Sequence, residues 1–418
     1  MIFLRKPYIK KSKNKSKLIF DLEVDGEEKS VWFEVDKEYE IYLCDDRVDP
    51  ILVGVLSYAM RKGHDIKTDS YITDDILFRV QEYLIPALIK GSSNLKKIKI
   101  EGKTKKALSN VGAVGTGCSC GIDSIHAYVT KTKQKSKKFN LTHLCINNVG
   151  AFNECYGKNE MDNVRKKRIQ KSKEFAREVQ LPLIITDSNF QTEIPQMHHL
   201  THTYSSAFAI LCLQKLWGIY YYGSSGMGID QFSVKDNDKK DCESYELLSL
   251  DCFSTSKLKI YSEGMCQNRL EKTEDIYQHD LLKKYLHCCT TSDKNCGTCP
   301  KCKRTILSLY ALTEHLDEYS KVFDITYFND HKEEYFEWLC TEKEFEVKIT
   351  APIYDRCMQK KEFRIYVEKR NQKKEKTQEA EEYNYYKEEC NKILNSTTYK
   401  MGKIVVWLPY KIKSFIHK

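Results

Sequence analysis

No stretch of this 418-residue chain is long and apolar enough to span a bilayer, and Met1 to Lys11 lacks the apolar core of a secretory signal. The expectation is a cytosolic protein. Its seventeen cysteines then read as reduced thiols or metal ligands rather than a disulfide framework. A strong charge bias is missing too. A formal charge of +9 admits an anionic partner (nucleotide, nucleic acid or membrane surface) without selecting one. Nothing in the chain has the pattern of an RNA-binding domain, so nucleic acid is not expected. What is present is 41% hydrophobic and 30% charged residues, the balance of a globular protein with a highly charged surface and about two or three domains.

The most informative stretch is Val111 to Tyr128, VGAVGTGCSCGIDSIHAY. Small apolar residues (Val111, Ala113, Val114) give way to Gly115 and Gly117, and a helical pattern begins at Asp123. This is the layout of a buried strand entering a loop that opens on a helix N-terminus. Glycines let the backbone approach a ligand. The N–H groups of the helix start and the hydroxyls of Ser119 and Ser124 make a cradle for phosphate. Asp123 adds a carboxylate where a divalent cation bridging phosphates needs an oxygen ligand.

Ser119-Cys120-Gly121-Ile122-Asp123-Ser124 resembles the S-G-G-x-D-S loop of the PP-loop ATP pyrophosphatases, the adenine nucleotide alpha-hydrolase-like superfamily. The resemblance implies ATP with its phosphates on Gly117 and Ser119–Ser124, and Mg²⁺ at Asp123. The chain departs at Cys120, where the family has Gly, and a side chain there would narrow the phosphate pocket.

The chain opens with alternating segments Lys17 to Val24 and Ser30 to Val35 joined by Asp25-Gly26, a hairpin signal. Tyr39 to Cys44 reads as a further strand. A helix spans Pro50 to Lys62, ending at Gly63. His64 to Asp69 is a strand, Thr73 caps a helix reaching about Lys90, and Leu95 to Glu101 is a strand. Residues 1–104 thus form an α+β unit that covers one edge of the main sheet. Residues 105–285 alternate strands (Leu141 to Asn147, Leu181 to Thr186, Gly218 to Tyr222) with helices (Asp162 to Val179, Thr203 to Trp217), which implies an α/β domain with a parallel sheet. Ligands bind beyond the C-terminal strand ends of such sheets. Those ends are Ser119 to Ser124, Asn147-Asn148, Asp187 to Asn189 and Ser224-Ser225, all polar and small.

Relatives of the PP-loop type place adenine and ribose near the second and third strand ends, and carry a cation further on that reaches phosphate. Here that implies Asn147, Asp187 and Ser224 on the nucleotide side, and Arg269 or Lys272 as the cation. A solvated helix face is the alternative for the last two. Asp251 reads as a cap or turn residue. His198, His199 and His202 fall in a loop before the helix at Thr203, with His202 a substrate-side candidate.

The second signal is Cys296-Gly297-Thr298-Cys299-Pro300-Lys301-Cys302, with Cys288 and Cys289 upstream. Thiolates at two-residue spacing suit a closed tetrahedral Zn²⁺ site, though iron–sulfur clusters use such spacing as well. The string NCGTCPKCKRT resembles the C-terminal knuckle of 7-cyano-7-deazaguanine synthase and its relatives, some associated with surface-polysaccharide synthesis. That match implies Cys289, rather than Cys288, as fourth ligand beside Cys296, Cys299 and Cys302. The fold it implies is HUP-like: a parallel sheet flanked by helices, a knuckle at 286–330 and a charged helical tail at 331–418.

In that tail Phe363 to Leu394 reads as a long exposed helix laced with opposite charges. Tyr399 to Lys418 interleaves aromatics with lysines, which suits contact with an anionic membrane face or a protein partner, the alternative being a helix packed on its own domain. Ser396, Tyr399 and Gly402 are similar to the S-x-x-Y-x-x-G tails of some polysaccharide glycosyltransferases. Together the resemblances imply an AMP-forming enzyme that adenylates a small-molecule or sugar-linked carbonyl or carboxylate, then transfers a nitrogen donor. A sulfurtransferase using Cys118 and Cys120, and a nucleotide sensor without turnover, are the other readings.

Overall fold

The computed structural model describes residues 1–150, 158–224, 226, 228–289 and 291–403. Ser225 and residues 404–418 of the basic aromatic tail lie outside the described residues. Eleven strands among those described join one sheet. In chain order they are β1 (Ile2–Leu4), β2 (Tyr8–Lys11), β3 (Lys15–Val24), β4 (Glu27–Asp36), β5 (Ile66–Thr73), β6 (Ile100–Lys105), β7 (Ala113–Gly117), β8 (His143–Asn147), β9 (Leu183–Ser188), β10 (Trp217–Gly223) and β11 (Lys259–Glu263). Their spatial order is β11-β10-β7-β8-β9-β4-β3-β1-β5-β6, with β2 also paired to β3.

The sheet is mixed, and its two halves differ. From β11 to β9 every pairing is parallel. Counted along this half, the first strand β7 lies central, with the next two on one side and the last two on the other. That is the 3-2-1-4-5 order of doubly wound folds, and it puts the switch point at β7. The N-terminal half is built on the β3–β4 hairpin, paired from Lys15–Asp36 to Val24–Glu27 around Asp25 and Gly26. β4 docks antiparallel on β9 through Phe33–Ser188 and Glu34–Asp187, so the N-terminal strands extend the main sheet directly.

The helix Asp49–Lys62 packs on the helix His198–Cys212, and Ile51, Leu52, Val55, Leu56 and Ala59 of the first join the core that the sheet shares with the second. One core therefore runs from Ile2 through Phe33 and Phe208 to Ile260. A second core lies behind the β7 loop. It unites Cys118, Cys120, Ile122 and Ile125 with Phe175, the cysteine knuckle and the C-terminal helices as far as Phe363 and Val367.

Several expectations are corrected. Tyr39 to Cys44 is no strand: Lys37–Tyr42 is a 3₁₀ turn with Tyr39 tucked into the core. The strand expected at Leu95 to Glu101 begins at Ile100 and runs to Lys105 along β5. Thr73 is the N-cap residue of the helix starting at Asp74, as expected, but its hydroxyl donates to buried Asp49 at 2.5 Å instead of serving the helix. The three histidines lie not in a loop but on the helix His198–Cys212. The long helix Lys361–Asn395 is not exposed throughout. Phe363 and Val367 are buried, and Arg370 binds Glu337 and Glu344 before the solvated remainder begins.

Candidate functional site

Gly117 ends β7, Cys118 to Gly121 form the turn, and Ile122 starts the helix Ile122–Lys131, whose N-terminus no side chain caps. Ser119 Oγ donates to Ser124 Oγ at 3.3 Å, and Ser124 Oγ also donates to the Gly121 carbonyl at 3.1 Å. Cys120 has φ +59°, a left-handed conformation that a non-glycine residue adopts at a cost of roughly 1 kcal/mol. Glycine would sit there without that cost. Contrary to expectation, the Cys120 side chain does not narrow a pocket. It is buried in the second core, its sulfur 4.0 Å from Ser172 Oγ, and it lines neither of the cavities beside the loop.

Those two cavities meet at the loop. The first, about 300 Å³, opens at the switch point between the ends of β7, β8 and β10. Gly117, Ser119, Asn147, Tyr220 and Gly223 are among its walls. A Cβ at Gly117 would meet nothing within 4 Å. The second, about 540 Å³, continues outward from Ser119, Gly121, Ile122 and Asp123. One wall carries Arg168, Arg269, Lys301 and Arg304; another carries His198, His199, His202, Asp241 and Glu243. Ser119, Asp123, Arg168, Tyr222 and Gly223 border both cavities. Both volumes fall in the roughly 300–1,000 Å³ range of small-molecule sites.

Asp123 stands at the junction. Arg269 pairs with its Oδ2 at 3.2 Å, and Lys272 Nζ lies 3.7 Å from Oδ1, a buried oxygen that lacks a hydrogen-bond donor. Asn268 and Glu271 form a capping box that starts the helix Arg269–Ile276, so Arg269 and Lys272 project one turn apart on one face. Lys272 is no solvated residue. It is fully buried, donates to the Ser224 carbonyl at 2.7 Å, and burial lowers its pKa despite Asp123 nearby. Glycines permit this packing. A Cβ on Gly264 (φ +71°) would come 2.4 Å from Lys272 Cε, and one on Gly226 would come 3.1 Å from Arg269 Cα.

The other nucleotide-side candidates separate. Asn147 borders the first cavity, accepting from Thr186 at 3.0 Å. Asp187 borders neither cavity and is held by Arg165 at 2.9 Å and Asn148 at 2.6 Å. Ser224 acts through its carbonyl on Lys272. Asp251 is remote, paired with Lys259. His202 Nε2 meets Asp241 at 2.6 Å, and Nδ1 lies 2.8 Å from the Tyr222 hydroxyl. Burial opposes its charge, but Cys242, Tyr222 and Asp241 outweigh burial and raise its pKa well above the ordinary value. Burial, then Asp241, pushes Glu243 up to about 7.

The knuckle forms the floor of the second core. The sulfurs of Cys289, Cys296, Cys299 and Cys302 all lie within 4.8 Å of one another, a cluster able to hold a metal ion. Cys296 and Cys302 are 3.9 Å apart, Cys289 and Cys299 4.0 Å. Tetrahedral zinc with bonds of about 2.3 Å spaces its sulfurs about 3.8 Å apart, so the set fits that ion. Cys288 Sγ is 3.8 Å from Cys302 as well, but it is not one of the four sulfurs that all lie close to one another. The backbone joins knuckle to loop: His287 N–H donates to the Cys120 carbonyl at 2.7 Å, and Arg168 donates to the Cys289 carbonyl.

Sequence reasoning missed Arg168, Glu243 and Arg304 as cavity residues. Arg168 sits in a helix charged on every side, so no periodicity distinguishes it. No family model, curated protein or solved structure matches the chain.

Proposed function

We propose that this chain is a PP-loop ATP pyrophosphatase that forms an acyl or imidyl adenylate and passes it to a nitrogen nucleophile. The observation that carries the reading is the Ser119–Ser124 loop, lying at the switch point of a 3-2-1-4-5 parallel half-sheet with Asp123 facing the junction of two cavities. Doubly wound sheets bind nucleotides at that point. The first cavity takes the nucleoside, against Asn147 and Tyr220. The uncapped helix start and the Ser119 and Ser124 hydroxyls take the phosphates.

Asp123 fits a divalent cation, since its buried Oδ1 lacks a hydrogen-bond donor. Magnesium commonly uses one or two carboxylates plus substrate phosphates, and bound there it would supply charge neutralisation between them. Lys272, anchored on the Ser224 carbonyl, fixes the orientation of Asp123. Arg269 is the cation that offsets charge on the phosphates as the reaction proceeds. The acceptor's carbonyl or carboxylate oxygen forms a bond to the α-phosphorus, and the bond to the pyrophosphate oxygen breaks. The nitrogen donor then displaces AMP. Nitrogen rather than sulfur is favoured because both loop thiols are buried: Cys120 lies in the second core and borders neither cavity, and Cys118, on the wall of the first, is only 3% exposed. The four-cysteine cluster holds zinc as a structural ion, and the product belongs to surface-polysaccharide or modified-base synthesis.

ATP–pyrophosphate exchange tests this. The wild-type chain supports exchange once the acceptor is present, and Asp123→Ala abolishes it while the far-ultraviolet circular dichroism stays the same. Exchange that survives in Asp123→Ala refutes the metal role. Failure of the wild-type chain to bind ATP at all refutes the reading.

A further inference from the structure

The second cavity contains more positive charge than its acids can match. Of its three acids, Asp123 is held by Arg269 and Lys272, and Asp241 is held by His202. Glu243 remains to face Lys301 and Arg304. Among the described residues, neither Lys301 nor Arg304 makes an ion pair, and the buried Nε of Arg304 has no hydrogen-bond partner. Lys301 lies on the first turn of the helix Pro300–Leu312 and Arg304 opens the second, three positions on, so their side chains share the face that borders the cavity. A buried guanidinium N–H without an acceptor is costly, and an anion bound at the same guanidinium would offset that cost.

We infer that Lys301 and Arg304, flanked by Arg168, form an anion subsite for a phosphate or carboxylate group carried by the acceptor. The subsite is distinct from the phosphate cradle of the loop. It deepens the proposed function and rests on it for the word acceptor; the anion site itself does not depend on ATP chemistry. Geometry separates it from the nucleotide. The two cavities touch only around Ser119, Asp123, Arg168, Tyr222 and Gly223. Lys301 and Arg304 border the outer cavity alone and are not among the residues the two cavities share. An acceptor anchored there by a charged group would bring its reacting oxygen back to the junction.

Two other sources of negative charge compete for these cations: the nucleotide's own pyrophosphate portion, and the net negative charge of a tetrathiolate zinc site next to them. Calorimetric titration of the zinc-loaded full chain separates the three. Inorganic phosphate is titrated with and without a saturating α,β-methylene analogue of ATP, into wild type, Lys301→Gln/Arg304→Gln and Arg304→Lys. The expected result is saturable phosphate binding that persists with the analogue present. It falls at least tenfold in the double variant and stays within threefold in Arg304→Lys. Analogue affinity and zinc content change less than threefold and not at all, respectively. Phosphate binding that the analogue abolishes, or an equal loss of analogue affinity in the double variant, assigns the cations to the nucleotide and overturns the inference. Loss of zinc in the double variant assigns them to the thiolates and also overturns it, as does a wild-type chain that binds no phosphate. Phosphate binding that behaves as expected in a chain lacking ATP–pyrophosphate exchange leaves the subsite standing and removes only the adenylation reading.

Discussion

The two halves of the sheet share one hydrogen-bonded surface and one core, yet among the described residues only the parallel half borders the two cavities at the β7 loop. No residue before 105 borders either cavity at the β7 loop. The reason is connectivity. An antiparallel hairpin such as β3–β4 returns the chain at once through a two-residue turn, so its strand ends are closed by their own backbone. The parallel half must cross over after each strand. Where the crossovers part to opposite sides, at β7, the strand ends diverge and leave a crevice. One half contributes stability, and the other spends part of its stability on a left-handed Cys120, a buried Lys272 and uncompensated cations.

That contrast can be broken by substitution. The largest effect is expected in the N-terminal half. Phe33 is fully buried and meets the Phe208 ring edge-on at 6.0 Å, so Phe33→Ala should cost about 3–5 kcal/mol in urea unfolding while leaving nucleotide affinity of the folded fraction unchanged. A loss of nucleotide affinity there would mean that the halves are coupled, and the division of labour would be wrong.

A smaller and pH-dependent effect is expected at Glu243, on the cavity wall. Its folded pKa of about 7 stands above the ordinary 4.5, so the folded state binds the proton more tightly than the unfolded chain. The stability this provides is complete below pH 4.5 and is lost as pH rises through 7, by about 3 kcal/mol in total. Glu243→Gln should flatten the unfolding free energy across that window; an unchanged slope would place the titration elsewhere. The least effect belongs to Cys120→Gly. Relief of left-handed strain and loss of the buried thiol nearly cancel, within about 1 kcal/mol in thermal unfolding, and nucleotide affinity holds because the buried side chain borders neither cavity. A tenfold change in affinity would show that Cys120 shapes the phosphate cradle after all.

Sequence by itself determined what short-range rules control. The Asp25-Gly26 hairpin, the helix that ends before Gly63, the strand-to-loop-to-helix passage at Gly117 to Ile122 and the cysteine spacing all depend on residues within a few positions of one another. Only the tertiary structure decided which way the Cys120 thiol points, that Lys272 is buried on the Ser224 carbonyl, and that Arg168, Glu243 and Arg304 border one cavity. It also decided that Tyr39 caps a core rather than pairing in a strand. These outcomes depend on partners tens to hundreds of positions away. Burial and electrostatics act through distance in space, which the order of residues along the chain does not record.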